Sequence, residues 1–313
     1  MRSFPLPKRR LGRTELLVTP IGLGGAHLGR VGPGVDDFSD ELGAATVLRA
    51  LELGVNLIDT APMYGDSRRR IGMGLEEWYR RGGRREDVLI SSKTGRDGEG
   101  GKDYSADGTR RSVEESLRLL RTDYLDVLLV HDPDDLSLVL GPGGALEALK
   151  GLKDQGVIRA IGLGVRSHET HRRCMETGDF DVSLTYCDYN LIEQSALDGV
   201  VRPAAAHDVG VLNGAVVMLG LLGGRDPRQV ARELGGFATP ERLQCAAAMW
   251  DWAQSRRLNF LALNLQLCIR QPLIASTLVG VSNPMELETD TAAVSEEIAD
   301  ETWQELSDRF GIS

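Results

Sequence analysis

The chain has 313 residues, 42% hydrophobic and 26% charged, with a formal net charge of −10. That is an ordinary globular composition, and the acidic balance argues against nucleic acid or an anionic membrane surface as a partner. No run of about 18 apolar residues is present, and the basic start "MRSFPLPKRRLGRTELL" lacks the apolar core of a secretory signal.

Taken in chain order, the elements alternate. "VTPIGLGG" reads as a short strand ending in glycines, and "DELGAATVLRALELG" as a helix with a glycine stop. "VNLIDT" is a strand, "RRRIGMGLEEWYRRGG" an amphipathic helix and "DVLISSKT" a strand. "SADGTRRSVEESLRLLRT" is a helix, "DYLDVLLVHD" a strand and "GGALEALKGLKDQG" a helix. "IRAIGLGV", "SHETHRRCMETG" and "DVSLTYCDYN" continue as strand, helix and strand. "ALDGVVRPAAAHDVG" is a helix weakened by Pro203, and "VLNGAVV" is a strand. Residues 220–240 are rich in glycine and proline and read as a long loop with about one helical turn. "PERLQCAAAMWDWAQSRRL" and "NFLALNLQLCIRQ" are helices, "IASTLVGV" a last strand, and "PMELETDTAAVSEE" and "DETWQELSDRF" closing helices.

This is about eight strand–helix units with short connections. Several strands are almost continuously apolar, as parallel strands covered on both faces should be. The alternation predicts a single-domain α/β fold over residues 1–313, a closed (β/α)8 barrel. No GxGxxG follows the first strand, which disfavours an open dinucleotide-binding sheet. Cys174, Cys187, Cys245 and Cys268 are scattered, with no CxxC and no His/Cys cluster. They read as reduced thiols in a cytoplasmic protein without a metal site.

In such a barrel, chemistry gathers where strands end. Strand two ends in Asp59, strand three in Lys93 and strand four in His131, so the three are neighbours. By the two-residue period, Asp59 shares a face with Val55 and Leu57, Lys93 with Leu89 and Ser91, and His131 with Leu125, Val127 and Leu129. Lysine is scarce: Lys8, Lys93, Lys102, Lys150 and Lys153 are the only five. A bare ammonium or carboxylate at such a position would cost roughly several kcal/mol, and Asp59 with Lys93 can pair. Tyr64 follows on the loop after strand two. A nearby ammonium favours the phenolate and lowers the tyrosine pKa. His131 can hold a substrate oxygen. Singly, each residue has a plainer role: Asp59 as a helix cap, Tyr64 as rim packing, Lys93 as a structural ion pair, His131 as a satisfied core histidine. Together they suit reversible proton transfer to a carbonyl or alcohol oxygen, with a hydride partner still required.

The motifs "GVNLIDTAPMYGDSRRRIGMGL", "VLISSKTG", "SVEESLRLLRTDYLDVLLVHDPD", "LKDQGVIRAIGLGV" and "STLVGVSNPMELETD" resemble the aldo-keto reductase family from about residue 9 to residue 295. "GLGV", "CDYNLIEQ" and "GLLGG" look closer to its aldose 1-dehydrogenase branch, with fucose-, galactose- and threo-aldose-type members. The resemblance implies a nicotinamide cofactor, NAD(P)(H), and a catalytic tetrad of Asp59, Tyr64, Lys93 and His131. In it Tyr64 is the acid/base, Lys93 and Asp59 tune it, and His131 orients the carbonyl. It also implies a cofactor site drawn from Gly24, Gly25, Asp59, Gly164, Val165, Gly220, Leu222, Gly280, Ser282, Asn283 and Asp290.

The departures carry information. Many members have Ser-Asn after strand five, where this chain has Gly164-Val165. Many NADP-preferring members place Lys or Arg after the last strand, where this chain has Ser282 and Asn283, a lean to NAD or dual use. Arg270, Arg225 or Arg228 could substitute. The Glu-Asn pair that often meets adenine is Thr289-Asp290 here. "GGRDPRQVARELGGF" is expected as a strap over the pyrophosphate. Gly24, Gly25, Gly220, Gly223 and Gly224 serve either tight turns or close cofactor approach. "HDPDDLSLVLGPGG" suits a pocket wall. Trp78, Trp250, Trp252 and Trp303 fall on predicted helices and make no sugar-stacking platform. The reading is an oxidoreductase acting on a sugar or other carbonyl small molecule. The competing readings are a lyase or deglycosylase using its cofactor transiently, and a non-catalytic subunit that senses cofactor state.

Overall fold

Parallel ladders run the whole way round a barrel. The computed structural model describes residues 6–29, 39–234 and 238–312. An antiparallel hairpin, β1 (Arg9–Arg10) and β2 (Leu17–Val18), comes first. The barrel strands follow: β3 (Ile21–Gly24), β4 (Leu57–Asp59), β5 (Leu89–Thr94), β6 (Leu125–His131), β7 (Ile158–Gly164), β8 (Val182–Tyr186), β9 (Gly210–Gly214) and β10 (Ser276–Gly280). Each pairs with the next, and β10 closes onto β3 through Thr277 opposite Ile21 and Gly280 opposite Gly24. This is the closed (β/α)8 barrel.

The helices are α1 (Ala26–Gly29), α2 (Asp40–Leu53), α3 (Ser67–Arg80), α4 (Ala106–Leu120), α5 (Ser137–Leu140), α6 (Ala145–Asp154) and α7 (His168–Glu176). After them come α8 (Arg202–Ala206), α9 (Pro227–Leu234), α10 (Pro240–Ser255), α11 (Phe260–Arg270), α12 (Pro284–Val294) and α13 (Asp300–Phe310). Side-chain caps mark many starts: Ser39, Ser105, Ser167, Thr239, Asn259 and Asn283 each accept an amide N–H of the first turn. Among the described residues no helix is long and apolar enough to cross a membrane.

Two apolar layers follow from the two-residue period of the strands. Leu23, Ile58, Ile90, Leu128, Val130, Ile161 and Leu163 face outward and pack under the helices. Leu57, Leu89, Val127, Leu129, Val182 and Leu212 face inward and fill the barrel. Leu11, Leu16 and Val18 of the hairpin join that inner cluster, so the hairpin plugs the N-terminal end. Val55 and Leu125, expected on the inner face, belong to the outer layer. Val55 precedes the first residue of β4 and Leu125 opens β6, so neither is held to the barrel's inward parity.

Three segments differ from expectation. "VTPIGLGG" is broken at Pro20, which has no N–H for a ladder, so Leu17–Val18 pairs with the hairpin and only Ile21–Gly24 joins the barrel. Residues 196–210 hold a π-helical turn, Leu197–Val201, ahead of α8. Pro203 cannot donate to the carbonyl of Gly199, and the widened turn absorbs that missing bond. Residues 220–240 contain the two-turn helix α9, where about one turn was expected. Asp226 accepts the amide N–H of Arg228 at 2.9 Å and Pro227 takes the first helical position, a start signal carried by "DP". Leu221 and Leu222 are fully buried, which anchors the front of that segment. Gly235, Gly236 and Phe237, the end of the expected strap, lie outside the described residues.

Candidate active site

The strand ends rise as a staircase. Asp59 stands opposite Ser91 on β5, Lys93 stands opposite Leu129 on β6, and His131 stands opposite Gly164 on β7. Each polar residue is therefore two positions beyond the level of the one before. This is the stagger that closing a tilted barrel requires.

All three open into one cavity of about 280 Å³ at the C-terminal end of the barrel. Gly24, Asp59, His131, Gly164, Tyr186, Gly214 and Gly280 line it, each the last residue of its strand, and Lys93 is the penultimate residue of the eighth. Met63, Tyr64, Leu184, Val217, Leu219 and Leu278 supply much of the remaining wall.

Lys93 is buried at 1% exposure and Asp59 at 3%, and their charges are met. The Lys93 ammonium donates to Asp59 Oδ2 at 2.5 Å and to the Thr60 carbonyl at 3.0 Å. Ser91 Oγ donates to Asp59 Oδ1 at 2.8 Å. The remaining Lys93 donor faces the Tyr64 hydroxyl, and the ammonium lies 4.9 Å from the Tyr64 ring centre. Tyr64 and His131 meet edge to face with ring centres 5.9 Å apart. Burial pulls the Lys93 ammonium down, but the Asp59 carboxylate and the Tyr64 hydroxyl outweigh it, and the net direction is up.

The tyrosine runs against expectation. Burial of its hydroxyl raises the phenol above its ordinary value and outweighs the lowering by Lys93. Tyr64 therefore rests as a protonated phenol, oriented beside an ammonium that would stabilise its anion. Burial, then Lys93 and Arg96, lowers His131 to about 2, so the imidazole is neutral at any working pH.

The backbone places Tyr64. Its amide N–H donates to the Ala61 carbonyl at 3.1 Å, and its carbonyl accepts from the Ser67 amide at 3.1 Å. Gly65 is left-handed at φ 53°, and α1 lies against this turn so tightly that a Cβ on Gly29 would stand 1.4 Å from the Tyr64 carbonyl oxygen. Thr60 Oγ1 and Ser67 Oγ hydrogen-bond at 2.9 Å, tying the exit of β4 to the first turn of α3.

Of the residues assigned to the cofactor, Gly24, Gly25, Asp59, Gly164 and Gly280 line the cavity, and Val165, Gly220, Leu222, Ser282, Asn283 and Asp290 do not. Val165 and Leu222 are buried in the apolar layers. Gly220 is a turn residue at φ 95°. Ser282 and Asn283 stand just past β10, where Asn283 Oδ1 caps α12 by accepting the Glu286 amide N–H and the Ser282 amide N–H donates to the Glu286 carboxylate. Asp290 is buried on α12, and burial, with Glu286 nearby, pushes its carboxyl up to about 7. The three substitute cations are engaged elsewhere. Arg225 pairs with Glu233 at 2.7 Å, Arg228 pairs with Asp251 at 2.5 Å, and Arg270 lies over Trp303 at 4.8 Å. Arg270 also ends the helix whose last carbonyls hold Arg9 of the hairpin, which puts it at the plugged end of the barrel.

The cavity also contains groups that residue type and spacing did not flag, Ala26, His27, Tyr186, Ala215 and Leu219 among them, and of the expected pocket wall "HDPDDLSLVLGPGG" it takes His131 and Asp132. The signal for Asp132 was its place directly after a strand-end histidine. Among the described residues eight non-glycines have positive φ, and five of them follow the ends of β6, β8 and β9: Asp132, Cys187, Ala215, Met218 and Leu219. Backbone strain gathers at sites that use it.

A nicotinamide dinucleotide suits this chemistry. The rim is bare backbone at Gly24, Gly25, Gly164 and Gly280, and a Cβ on Gly164 would extend into the cavity toward Lys93 Cε at 3.7 Å. A flat ring can therefore approach the strand ends closely, beside a paired lysine and a phenol.

The comparisons agree. Residues 20–308 match the model of the aldo/keto reductase family. The chain is 33% identical to L-galactose dehydrogenase of Arabidopsis thaliana over 296 residues, covering 92% of this chain and 88% of that protein. It is 27% identical to D-threo-aldose 1-dehydrogenase of a Pseudomonas species over 318 residues, covering 94% of each. An aldo-keto reductase from Bacillus halodurans, in its holo form, shares the fold with a TM-score of 0.80 at 23% identity, over 97% of this chain and 96% of that one. The protein belongs to the aldo/keto reductase family. It is an NAD(P)-dependent oxidoreductase of sugar or other carbonyl substrates.

Proposed function

We propose that the protein oxidises an aldose at its anomeric carbon to the lactone, with Tyr64 taking the hydroxyl proton. The observation that carries this reading is the buried chain Asp59–Lys93–Tyr64, with neutral His131 edge-on to the phenol. The two aldose 1-dehydrogenase relatives supply the substrate class.

The nicotinamide supplies the hydride acceptor when bound. The residues do the rest. His131, neutral, donates to the sugar oxygen and sets its distance from Tyr64. Tyr64, as its phenolate, accepts the proton and becomes a phenol as that oxygen becomes a carbonyl. Lys93 lies against the phenolate and stabilises it before the transfer, and Asp59 keeps Lys93 charged and fixed. In reduction the same proton returns to the carbonyl oxygen.

The cofactor reading leans to NAD. Glu286 supports it: its carboxylate accepts the Ser282 amide N–H at 2.7 Å and the Asn283 side-chain amide at 2.9 Å, at the start of α12. An anion already holds those donors, and a 2′-phosphate would meet its repulsion. A hydroxyl can instead donate to the carboxylate. We also place the protein in the cytoplasm, since its four cysteines are free thiols.

Incubation with NAD⁺ or NADP⁺ and a panel of aldoses should raise absorbance of the reduced cofactor, with a product two hydrogens lighter by mass. Loss of a group without net reduction would replace this reading with elimination, and tight cofactor binding without turnover would replace it with a sensor.

A further inference from the structure

Asp132, which lines the cavity, is fixed through both its backbone and its side chain. Its φ is 42°, a left-handed conformation that costs on the order of 1 kcal/mol for a non-glycine. Four hydrogen bonds, with three partner residues, surround it. The Asp132 amide N–H donates to the Gly164 carbonyl at 2.8 Å. The Tyr104 hydroxyl donates to the carbonyls of His131 and Asp132 at 2.8 and 2.9 Å. The Tyr186 hydroxyl donates to Asp132 Oδ1 at 3.0 Å.

The second carboxylate oxygen is placed differently. Among the described residues its nearest cation is Arg96 at 3.6 Å, and the neutral His131 Nε2 lies at 3.7 Å, both beyond hydrogen-bond length. Asp132 lines the cavity, and its side chain keeps 21% exposure. Oδ2 is thus a fixed, charged acceptor one residue beyond the histidine that faces the reacting oxygen.

We propose that Asp132 is the residue that reads sugar hydroxyls. Oδ2 accepts from a hydroxyl on the carbons next to the reacting one, and Tyr186 positions the carboxylate for it. The ligand class is a neutral polyhydroxylated aldose. A hydroxyl bound to a carboxylate makes a charge-assisted hydrogen bond, whereas an aldehyde without hydroxyls leaves Oδ2 unused, and a sugar acid brings a second negative charge to it. This rests on the reading of the cavity as an aldose site.

The test uses Asp132→Asn and Asp132→Gly, both of which tolerate the left-handed backbone. Each is assayed with the aldose that wild type oxidises best and with 4-nitrobenzaldehyde, which has no hydroxyls, as the reduced counterpart reaction. The readout is the ratio of the two kcat/KM values, which does not depend on the fraction of folded enzyme. The ratio should fall at least tenfold in Asp132→Asn and further in Asp132→Gly, chiefly through KM for the aldose. A ratio within twofold of wild type in both variants overturns the assignment and leaves aldose oxidation standing. A wild type that oxidises no aldose in the panel overturns both.

Discussion

Gly29 and Tyr64 touch through bare backbone, on the far side of the tyrosine from the chemistry. A Cβ at Gly29 would overlap the Tyr64 carbonyl oxygen, at 1.4 Å. Gly29→Ala must therefore move either α1 or the turn that carries the phenol. The expected result is a fall in kcat of tenfold or more with the barrel still folded by circular dichroism, because positioning errors of about 1 Å cost rate steeply. Wild-type turnover in Gly29→Ala would show that the turn does not set the tyrosine's reach.

Tyr64→Phe removes the proton carrier and leaves its packing. Turnover should drop by about 10²–10⁴-fold with little change in KM. Steady-state kinetics with a saturating aldose checks this, and an active phenylalanine variant would exclude Tyr64 as the acid/base.

Lys93→Met leaves the Asp59 carboxylate buried without its partner, at a cost of about 3–5 kcal/mol. Adding Asp59→Asn removes that stranded charge. The double variant should melt well above the single one and stay inactive. Equal melting temperatures would mean that Asp59 is not compensated by Lys93 in the fold.

The pH profile of kcat/KM for oxidation should lack an inflection near 6.5, since His131 lies at about 2 and stays neutral. The rate should climb as pH rises past neutrality, because burial holds the Tyr64 phenol above its ordinary value and its anion is the base. An inflection between pH 6 and 7 that disappears in His131→Asn would contradict the neutral imidazole.

Glu286→Arg replaces the carboxylate that occupies the Ser282 and Asn283 donors with a cation. Calorimetric titration with the two reduced cofactors should show NADPH gaining at least tenfold over NADH. No change in the ratio would place the adenosine ribose away from α12.

Asp290, raised to about 7, supplies a stability test with a defined sign. A carboxyl whose folded value exceeds its unfolded one stabilises the fold fully below about pH 4 and loses that contribution as pH rises through the folded value. Asp290→Asn should therefore melt a few degrees above wild type at pH 8 and with it at pH 4.

The barrel was legible because its strands are apolar on both faces and several of its helices stop at or beside a glycine, as at Gly54, Gly82 and Gly156. The convergence of Asp59, Lys93 and His131 was legible because parity and strand order are properties of sequence. What was hidden depended on contacts between distant segments. Nothing local marks Gly29 as the backstop of Tyr64, or Tyr104 as the clamp on Asp132, since those partners are far apart along the chain. The direction of the Tyr64 shift was misread for a related reason: proximity of a lysine can be inferred from strand order, while the depth of burial that outweighs it cannot. Helix α9 exceeds the single expected turn because its Asp-Pro start lies inside a stretch whose flanking glycines match a loop composition.

Among the described residues, the hairpin plug of Leu11, Leu16 and Val18 fills the N-terminal end of the barrel, and the cavity opens at the opposite end. If dinucleotide and sugar both enter there, whichever rests deeper is first in and last out, and the two form a queue rather than exchanging independently. Product-inhibition patterns would show which one stands at the back.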